Sequence, residues 1–271
     1  MSHITETARP PGRRLNPAIA RRRKRLVGQL IVGLVFLGIW QVVSELRFVD
    51  PLVARSPAQV WAILVEMVRS GLLWPSLYST LEAIAITFVL AGGLGIVAGV
   101  GLGLFPKAEA LLEPYLNAIN AMPRIALAPV LLIYFGIDQG AKIALATSIV
   151  FFIVMVNARA GIRTVDRDCL VMARMMDSSR LQMFTKILLP TAVPSIFAGL
   201  RLAVIYSFLG VITSEILSSR LGLGQLIAMY AGIFRLEGMY AVVLIMALLA
   251  TILNIGMNLI EKRLLRWKGE P

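Results

Sequence analysis

Residues 83–106 have the sequence AIAITFVLAGGLGIVAGVGLGLFP, a run of 24 residues without a charged side chain. Two similar uncharged runs occur elsewhere, 19 residues at 26–44 and 23 residues at 238–260. A helix needs about 20 apolar residues to cross a bilayer, so each run is long enough to span one. Backbone polar groups must be satisfied inside lipid, and these runs lack the alternation of barrel strands. The sequence therefore predicts an all-α, polytopic membrane protein.

The remaining apolar sequence supplies three further candidate spans. The predicted helices cover about 26–46, 77–105, 113–136, 141–160, 195–217 and 238–261. The third of these contains Pro114, Pro123 and Pro129, and proline interrupts the helical hydrogen-bond pattern. The chain is 58% hydrophobic, whereas soluble domains are nearer one half. About six transmembrane helices are expected.

The basic residues divide unevenly between the two ends of these helices. With six spans, 19 Lys and Arg lie on the side of the two tails, the loop at 107 and the segment 159–194, against six on the other side. Because Lys and Arg concentrate on the cytoplasmic side, we expect a basic cytoplasmic tail at 1–25, a transmembrane domain at 26–261 and a cytoplasmic tail at 262–271. The net charge of +12 then reflects membrane orientation and lipid contact, and no nucleic-acid partner is expected.

The chain lacks the residues needed for disulfides, for Cys/His metal sites and for binding nucleotide phosphates. Cys169 is the one cysteine and His3 the one histidine, so neither an intramolecular disulfide nor a Cys/His metal cluster can form. No GxxxxGK[ST] phosphate-binding loop is present. We therefore predict no catalytic residues, no metal and no cofactor bound by this chain.

Glycines at a spacing of four mark one face of the second predicted span. Gly95, Gly99 and Gly103 lie on the same side of a helix, and small residues at this spacing let helices approach closely. We interpret this face as packing within the chain, in preference to a subunit interface.

The segment 159–194 is polar and basic, yet it also carries apolar residues: Leu170, Val171, Met175, Met176, Leu181, Met183 and Phe184. This pattern predicts two short amphipathic helices joined by a polar turn at 177–179, with Asp177 or Ser178 starting the second helix. Methionine and phenylalanine on such an element suit docking into a partner's groove. An amphipathic hairpin lying on the inner leaflet is an equal alternative on the residues alone.

The same segment resembles the "EAA" loop of permease subunits of bacterial ABC importers. Ala173, Ile187, Leu189 and Pro190 fall at the spacing of that pattern. Val171, Met172 and Asp177 stand where the pattern has its Glu, its first Ala and its Gly. Over about 55–268 the chain resembles the sulfonate/nitrate/taurine branch at Ser56-Pro57, 123–129, 135–138, Asn157 with Gly161, 199–201, Glu215 and 222–224.

This resemblance implies a type I ABC importer permease fold and a second permease copy in a homodimer. It also implies a cytoplasmic ABC ATPase subunit, which would bind ATP and Mg, and an extracytoplasmic substrate-binding protein. The solute would be small and anionic, such as a sulfonate, taurine or nitrate. The ATPase-coupling loop would comprise Ala173, Arg174, Met176, Asp177, Ser178, Ser179, Arg180, Met183, Phe184 and Pro190, with residues 174–183 as the coupling helix. The alternative is an ATP-independent secondary transporter or channel, which should show inverted repeats and acidic relay residues.

Charged residues inside the predicted spans are candidates for the pathway or its gating, because charges at bilayer depth are costly. Arg124 follows Pro123 in the proline-broken span, where a kink can expose backbone to a cavity. Arg201 is expected to find a carboxylate or a helix C-terminus. Glu215 lies near the outer end of its helix and is expected to serve in structural pairing or gating. Asn157 is expected to cap a helix or to hydrogen-bond across helices.

Overall fold

The computed structural model describes residues 17–46 and 55–264, and all of its regular elements there are helical. The helices are α1 (Pro17–Glu45), α2 (Pro57–Arg69), α3 (Leu73–Leu104), α4 (Pro106–Ala121), α5 (Ala128–Phe135), α6 (Gln139–Arg163), α7 (Arg167–Met175), α8 (Arg180–Met183), α9 (Leu189–Leu217), α10 (Leu223–Gly232) and α11 (Leu236–Leu264). A 3-10 turn, Arg124–Leu127, precedes α5, and a π-helical segment, Phe184–Leu188, joins α8 to α9. The all-α class predicted from the uncharged runs is confirmed.

The chain divides into two compact units, one ending at Trp61 and the other beginning at Ala62. The first unit contains α1, where the indole N–H of Trp40 donates to the carbonyl of Arg55 over 3.0 Å. The first predicted span, 26–46, lies on this helix, which begins earlier, at Pro17. Most of the predicted N-terminal tail and residues 265–271 of the predicted C-terminal tail lie outside the described residues.

Four described helices are long and apolar enough to cross a membrane: α3, α6, the continuous helix Arg180–Leu217 and α11. A fifth span results if α4 and α5 are counted together, and the part of α1 from Ile31 to Glu45 is a shorter apolar helix. This architecture agrees with the predicted polytopic protein of about six transmembrane helices.

The span predicted at 113–136 is broken, as its prolines indicated, and it begins earlier, at Pro106. The axes of α4 and the segment Arg124–Phe135 are bent by 81°. The break falls at Met122, whose extended backbone (ψ 136°) is the conformation favoured before a proline. Pro123 also lacks the N–H that would continue the hydrogen bonds of α4.

The start of the helix that contains Pro194 was predicted too late in the sequence. The helix predicted at 195–217 begins at Leu189 and continues from α8 through the π-helical segment. Pro190 lies in the first turn of α9, directly after the π-helical segment, and its missing N–H interrupts the hydrogen-bond pattern there without ending the continuous helix. As α6 extends to Arg163, the connection between the two long helices covers 164–188, a shorter stretch than the predicted loop 159–194.

Helix α6 is the centre of the larger unit, with α3 and α9 packed against it. The glycine face of α3 lies on α6: a Cβ at Gly99 would be 2.3 Å from the carbonyl oxygen of Met155, and one at Gly103 would be 2.7 Å from the Cβ of Ile162. A Cβ at Gly210 of α9 would be 2.9 Å from the Cα of Ala146. The predicted packing of this glycine face within the chain is confirmed.

The contacts also fix the directions of these helices. Near their first residues, α3 and α6 meet the last turn of α9 through Thr80, Lys142 and Glu215. Near their last residues they meet each other at Gly103 and Ile162. Thus α3 and α6 run parallel and α9 runs antiparallel to both. We call the end that carries residues 164–188 the hairpin end, and the other the opposite end.

Candidate functional site

The hairpin end carries two short helices joined by a tight turn, which we call the hairpin (residues 166–188). Asp166 caps α7, its side chain accepting a hydrogen bond of 3.0 Å from the backbone N–H of Asp168. The second helix, α8, leads without interruption into α9. The two predicted short helices and the polar turn between them are therefore present.

The turn closes with Asp177 in the left-handed region, at φ +55°. The N–H of Asp177 donates to the carbonyl of Arg174 over 3.0 Å, and that of Ser178 donates to Ala173 over 3.1 Å. These two bonds form a Schellman motif, in which glycine usually holds the left-handed position. Aspartate is one of the few other residues that adopt this conformation with little cost. Asp177, which stands at the Gly position of the "EAA" pattern, thus preserves the glycine-type turn.

The second helix starts at Ser179, one or two residues later than predicted. The Ser179 hydroxyl accepts from the N–H of Gln182 over 3.2 Å, and the Gln182 side chain accepts from the N–H of Ser179 over 2.9 Å. This reciprocal arrangement is a capping box. The predicted coupling helix at 174–183 is wrong as a single helix, because this range holds the end of α7, the turn and α8.

The hairpin presents apolar side chains to its surroundings. Met175 and Met176 are 82% and 81% exposed, and Val171, Met172 and Leu181 are exposed as well. Of the predicted coupling residues, Arg174, Met176, Asp177, Ser179 and Arg180 are exposed, Ser178, Met183, Phe184 and Pro190 are half-buried, and Ala173 is buried. Met175 and Met176 form an exposed apolar tip that is flanked in sequence by Arg174 and Arg180, a surface suited to a partner's groove.

At the opposite end, Lys142 and Glu215 form an ion pair whose side chains are both completely buried. Lys142 Nζ also donates to the Ser79 hydroxyl and to the carbonyl of Leu221, each over 2.7 Å. Thr80 donates to Glu215 over 2.9 Å. Each charge is therefore hydrogen-bonded by several groups, as a buried ion pair requires.

The chain after α9 folds over the Glu215 carboxylate. Gly224 donates its N–H to Glu215 Oε2 over 2.9 Å, and the N–H of Leu223 donates to the Thr80 hydroxyl over 2.9 Å. Gly222 has φ +142°, and a Cβ there would lie 2.1 Å from the carboxyl carbon of Glu215. These glycines bring the backbone against the carboxylate at the point where α10 begins.

The other predicted intramembrane residues lie apart from this ion pair. Arg124 donates to Asn120 Oδ1 over 3.1 Å and stacks on the ring of Phe152, 4.3 Å from its centroid. It therefore ties the break between α4 and α5 to α6. Arg201 of α9 forms an ion pair with Glu261 of α11, the carboxylate partner that was expected. The structure does not bring Arg124, Arg201 and Glu215 together in one site.

Asn157 does not form the predicted hydrogen bond across helices. Its side chain donates to the carbonyl of Ile153 on the same helix over 2.8 Å. Its Cβ instead packs at Gly199 of α9, where an added Cβ would lie only 2.7 Å away. The residue contributes to helix packing between α6 and α9.

Sequence reasoning missed Glu109, a buried carboxylate near the hairpin end. It forms ion pairs with Arg159 and Arg163 of α6. The one signal available was the spacing of four between these arginines, which places them on one helix face. Within the described part of the chain, no three His, Cys, Asp or Glu residues are grouped so that they could hold a metal ion.

Parallel and antiparallel membrane helices around α6, a broken span and a protruding hairpin at one end define a multi-pass membrane transport subunit. Residues 91–266 match the family described as binding-protein-dependent transport system inner membrane component. The chain belongs to this family, and it is the permease subunit of an ABC importer in the inner membrane. Transport in this family involves a binding protein and an ATPase as separate partners.

Curated relatives cover most of the chain. It is 30% identical to the putative aliphatic sulfonates transport permease protein SsuC of Bacillus subtilis (strain 168), over 92% of this chain and 90% of the relative. It is 28% identical to the taurine transport system permease protein TauC of Escherichia coli (strain K12), over 87% of this chain and 88% of the relative. The nitrate import permease protein NrtB of Leptolyngbya laminosa is 27% identical, over 83% of this chain and 82% of the relative.

A solved structure supports the fold. A chain of the inward-facing MetNI methionine ABC transporter superposes with a TM-score of 0.60 at 19% identity, covering 74% of this chain and 99% of that chain. At this identity the likeness concerns the fold alone. The family match, by contrast, favours the importer permease over the ATP-independent alternative.

Proposed function

We propose that two copies of this chain form the translocation pathway for a small anionic solute, a sulfonate, taurine or nitrate-like compound, and that each hairpin docks one ATPase subunit. The observation that carries the docking is the exposed tip of the hairpin, above all Met175 and Met176. Exposed methionines at such density are unfavourable in water. They pack readily into a groove of varied shape.

The hairpin is built to keep this tip in one conformation. The Schellman motif at Asp177 and the capping box at Ser179 fix the turn from both sides. Arg174 and Arg180 flank the tip and suit acidic groups on the rim of a partner's groove. A rigid, amphipathic projection can transmit a displacement of the ATPase to the long helices that continue from it.

The proposed orientation places the hairpin end and both termini in the cytoplasm, in agreement with the excess of Lys and Arg on that side. ATP and Mg would bind in the ATPase, so this chain would act without a cofactor and without enzymatic activity of its own. Membrane lipid would cover the exposed apolar faces of the spans. The opposite end would then receive solute from the binding protein.

The anionic solute is supported by the names of the relatives and by one residue of the pathway candidates. Arg124 is half-buried at the break of the α4–α5 span, where a guanidinium can meet an anion. In this proposal the ion-paired Glu215 acts in gating, since its complete burial keeps it from the solute.

Co-purification of the chain with its ATPase tests the docking. Replacing both exposed methionines, Met175→Asp with Met176→Asp, should reduce the recovered ATPase about tenfold or more, because two carboxylates would be buried in an apolar contact. Phe234→Asp is the matched control, since Phe234 is 80% exposed, follows α10 and, like Asp177, has φ +55°. Equal recovery of the ATPase with the methionine variant and with the control would refute the docking surface.

A further inference from the structure

Glu109 lies in the first turn of α4, and its side chain is 2% exposed. One carboxylate oxygen is 3.1 Å from Nη1 of Arg159, and the other contacts Nη2 of Arg163. The two arginines are four residues apart and therefore share one face of α6. A single carboxylate thus joins the start of α4 to the end of α6.

The two arginines stand directly before the hairpin. Arg163 is the last residue of α6, and three residues further on Asp166 caps α7. The N–H of Thr164 still bonds to the carbonyl of Ala160, so the helical hydrogen bonds continue past the second arginine. A displacement of the hairpin must therefore move the part of α6 that holds Glu109.

The remaining turns of α4 are mostly exposed. Glu109 is its one buried residue, whereas Leu111, Tyr115 and Ile119 are exposed on the following turns. Beyond α4 lie the break with Arg124 and then α5. The start of α4 consequently depends on this carboxylate for its position, whereas the end of α4 is tied to α6 through Arg124, which contacts Asn120 and the ring of Phe152.

The geometry of these ion pairs favours a role for Glu109 in fixing the position of α4. Charge-assisted contacts between a carboxylate and guanidinium groups are directional as well as strong. Two arginines on one carboxylate fix the helix end in two directions, where a single apolar contact would let it slide. A buried ionic group of this kind is retained in some proteins for specificity of arrangement.

We propose that Glu109 is a positioning residue that makes α4, and with it the broken span, follow the hairpin when the ATPase moves it. This inference rests on the proposed function, in which the hairpin docks the ATPase. Without the carboxylate, the hairpin and α6 would still move, while α4 would respond less.

Pulsed electron spin resonance on the complete complex separates these motions. In one sample the spin label is on the native Cys169 of α7, which is exposed, and the distance joins its two copies in the dimer. In another, Cys169→Ser is combined with Asn117→Cys on the exposed face of α4. Both distances are measured without nucleotide and with ATP and vanadate.

In the unmodified complex both distances should change with nucleotide. Glu109→Gln should leave the change between the Cys169 labels intact and reduce the change between the Asn117→Cys labels by about half or more. Glu109→Asp, which keeps a carboxylate for both arginines, should retain most of the response of α4. Glu113→Gln, one turn further along α4 and exposed, is the matched control and should alter neither distance.

An undiminished response of α4 in Glu109→Gln, or an equally reduced response in Glu109→Asp, would overturn this inference and leave the docking of the hairpin standing. Unchanged distances between the Cys169 labels in the unmodified complex would overturn the proposed function and the inference together.

Discussion

Lys142 and Glu215 are 73 residues apart in sequence, and their side chains meet with Nζ 3.2 Å from Oε1 while both are fully enclosed. The pair joins α6 to α9. Its hydrogen-bond partners add α3 and the chain at Leu221. Because removing charges from water offsets most of their attraction, such a pair serves arrangement more than stability. Here it holds the end of α9 and the start of α10 to the two parallel helices.

Breaking the pair from one side should be strongly destabilising. In Glu215→Gln the charge of Lys142 would remain buried without its counter-charge, a loss of about 3–5 kcal/mol in comparable cases. We expect a clearly lower thermal unfolding temperature of the detergent-purified chain. Glu66→Gln, at an exposed glutamate of α2, should unfold at the temperature of the unmodified chain. Equal unfolding temperatures for both variants would show that the ion pair does not stabilise this end.

The contact between α3 and α6 should respond to a single methyl group. Gly99→Ala would place a Cβ 2.3 Å from a carbonyl oxygen of α6, whereas Gly101→Ala meets nothing within 4 Å. We expect Gly99→Ala to force the helices apart and to lower the unfolding temperature. Gly101→Ala should be neutral or stabilising, by up to about 1 kcal/mol. Thermal unfolding of the two variants, measured side by side, tests this prediction. A similar decrease of the unfolding temperature in both variants would contradict the close packing at Gly99.

The turn of the hairpin should tolerate glycine and reject a β-branched residue. At φ +55° an ordinary L-residue costs about 1–2 kcal/mol, which is roughly 5–30-fold in an equilibrium constant. We therefore expect Asp177→Val to weaken ATPase binding by about this factor and Asp177→Gly to preserve it. Titration of the purified ATPase onto the reconstituted permease provides the measurement. If Asp177→Val bound as well as Asp177→Gly, the left-handed turn would have no part in docking.

The capping box should be detectable in local hydrogen exchange. Ser179→Ala removes the hydroxyl that accepts from Gln182, and loss of such a cap costs about 1 kcal/mol. Amide protons at the start of α8 should then exchange several-fold faster. Ser178→Ala, one residue before the cap, should leave this exchange unchanged, and the reverse result would move the cap to Ser178.

Local patterns predicted most of the helices. Runs without charge, the glycine spacing of Gly95, Gly99 and Gly103, and the alternation of basic and apolar residues in the hairpin each act within a few turns of one helix. These are the features that the structure confirms. One boundary failed because proline has two outcomes: Pro123 breaks a span, whereas the helix Arg180–Leu217 continues through Pro190.

The long-range pairs could not be predicted. Lys142 falls at the start of the helix predicted at 141–160, and nothing near it in sequence indicates Glu215. The ion pairs of Glu109 could not be predicted for the same reason, since Arg159 and Arg163 lie about 50 residues further along the chain. Gly222 and Gly224 are residues typical of a turn, but the reason for both glycines, the carboxylate of Glu215, appears only once the helices are packed.

Labelling of Cys169 with a membrane-impermeant maleimide tests the central claim most directly, because it reports the side of the membrane on which the hairpin lies and therefore whether an ATPase of the cytoplasm can reach it. Cys169 is the one cysteine of the chain and is exposed on α7. The account predicts labelling in inside-out vesicles and no labelling of intact cells. Labelling of intact cells from outside would contradict it.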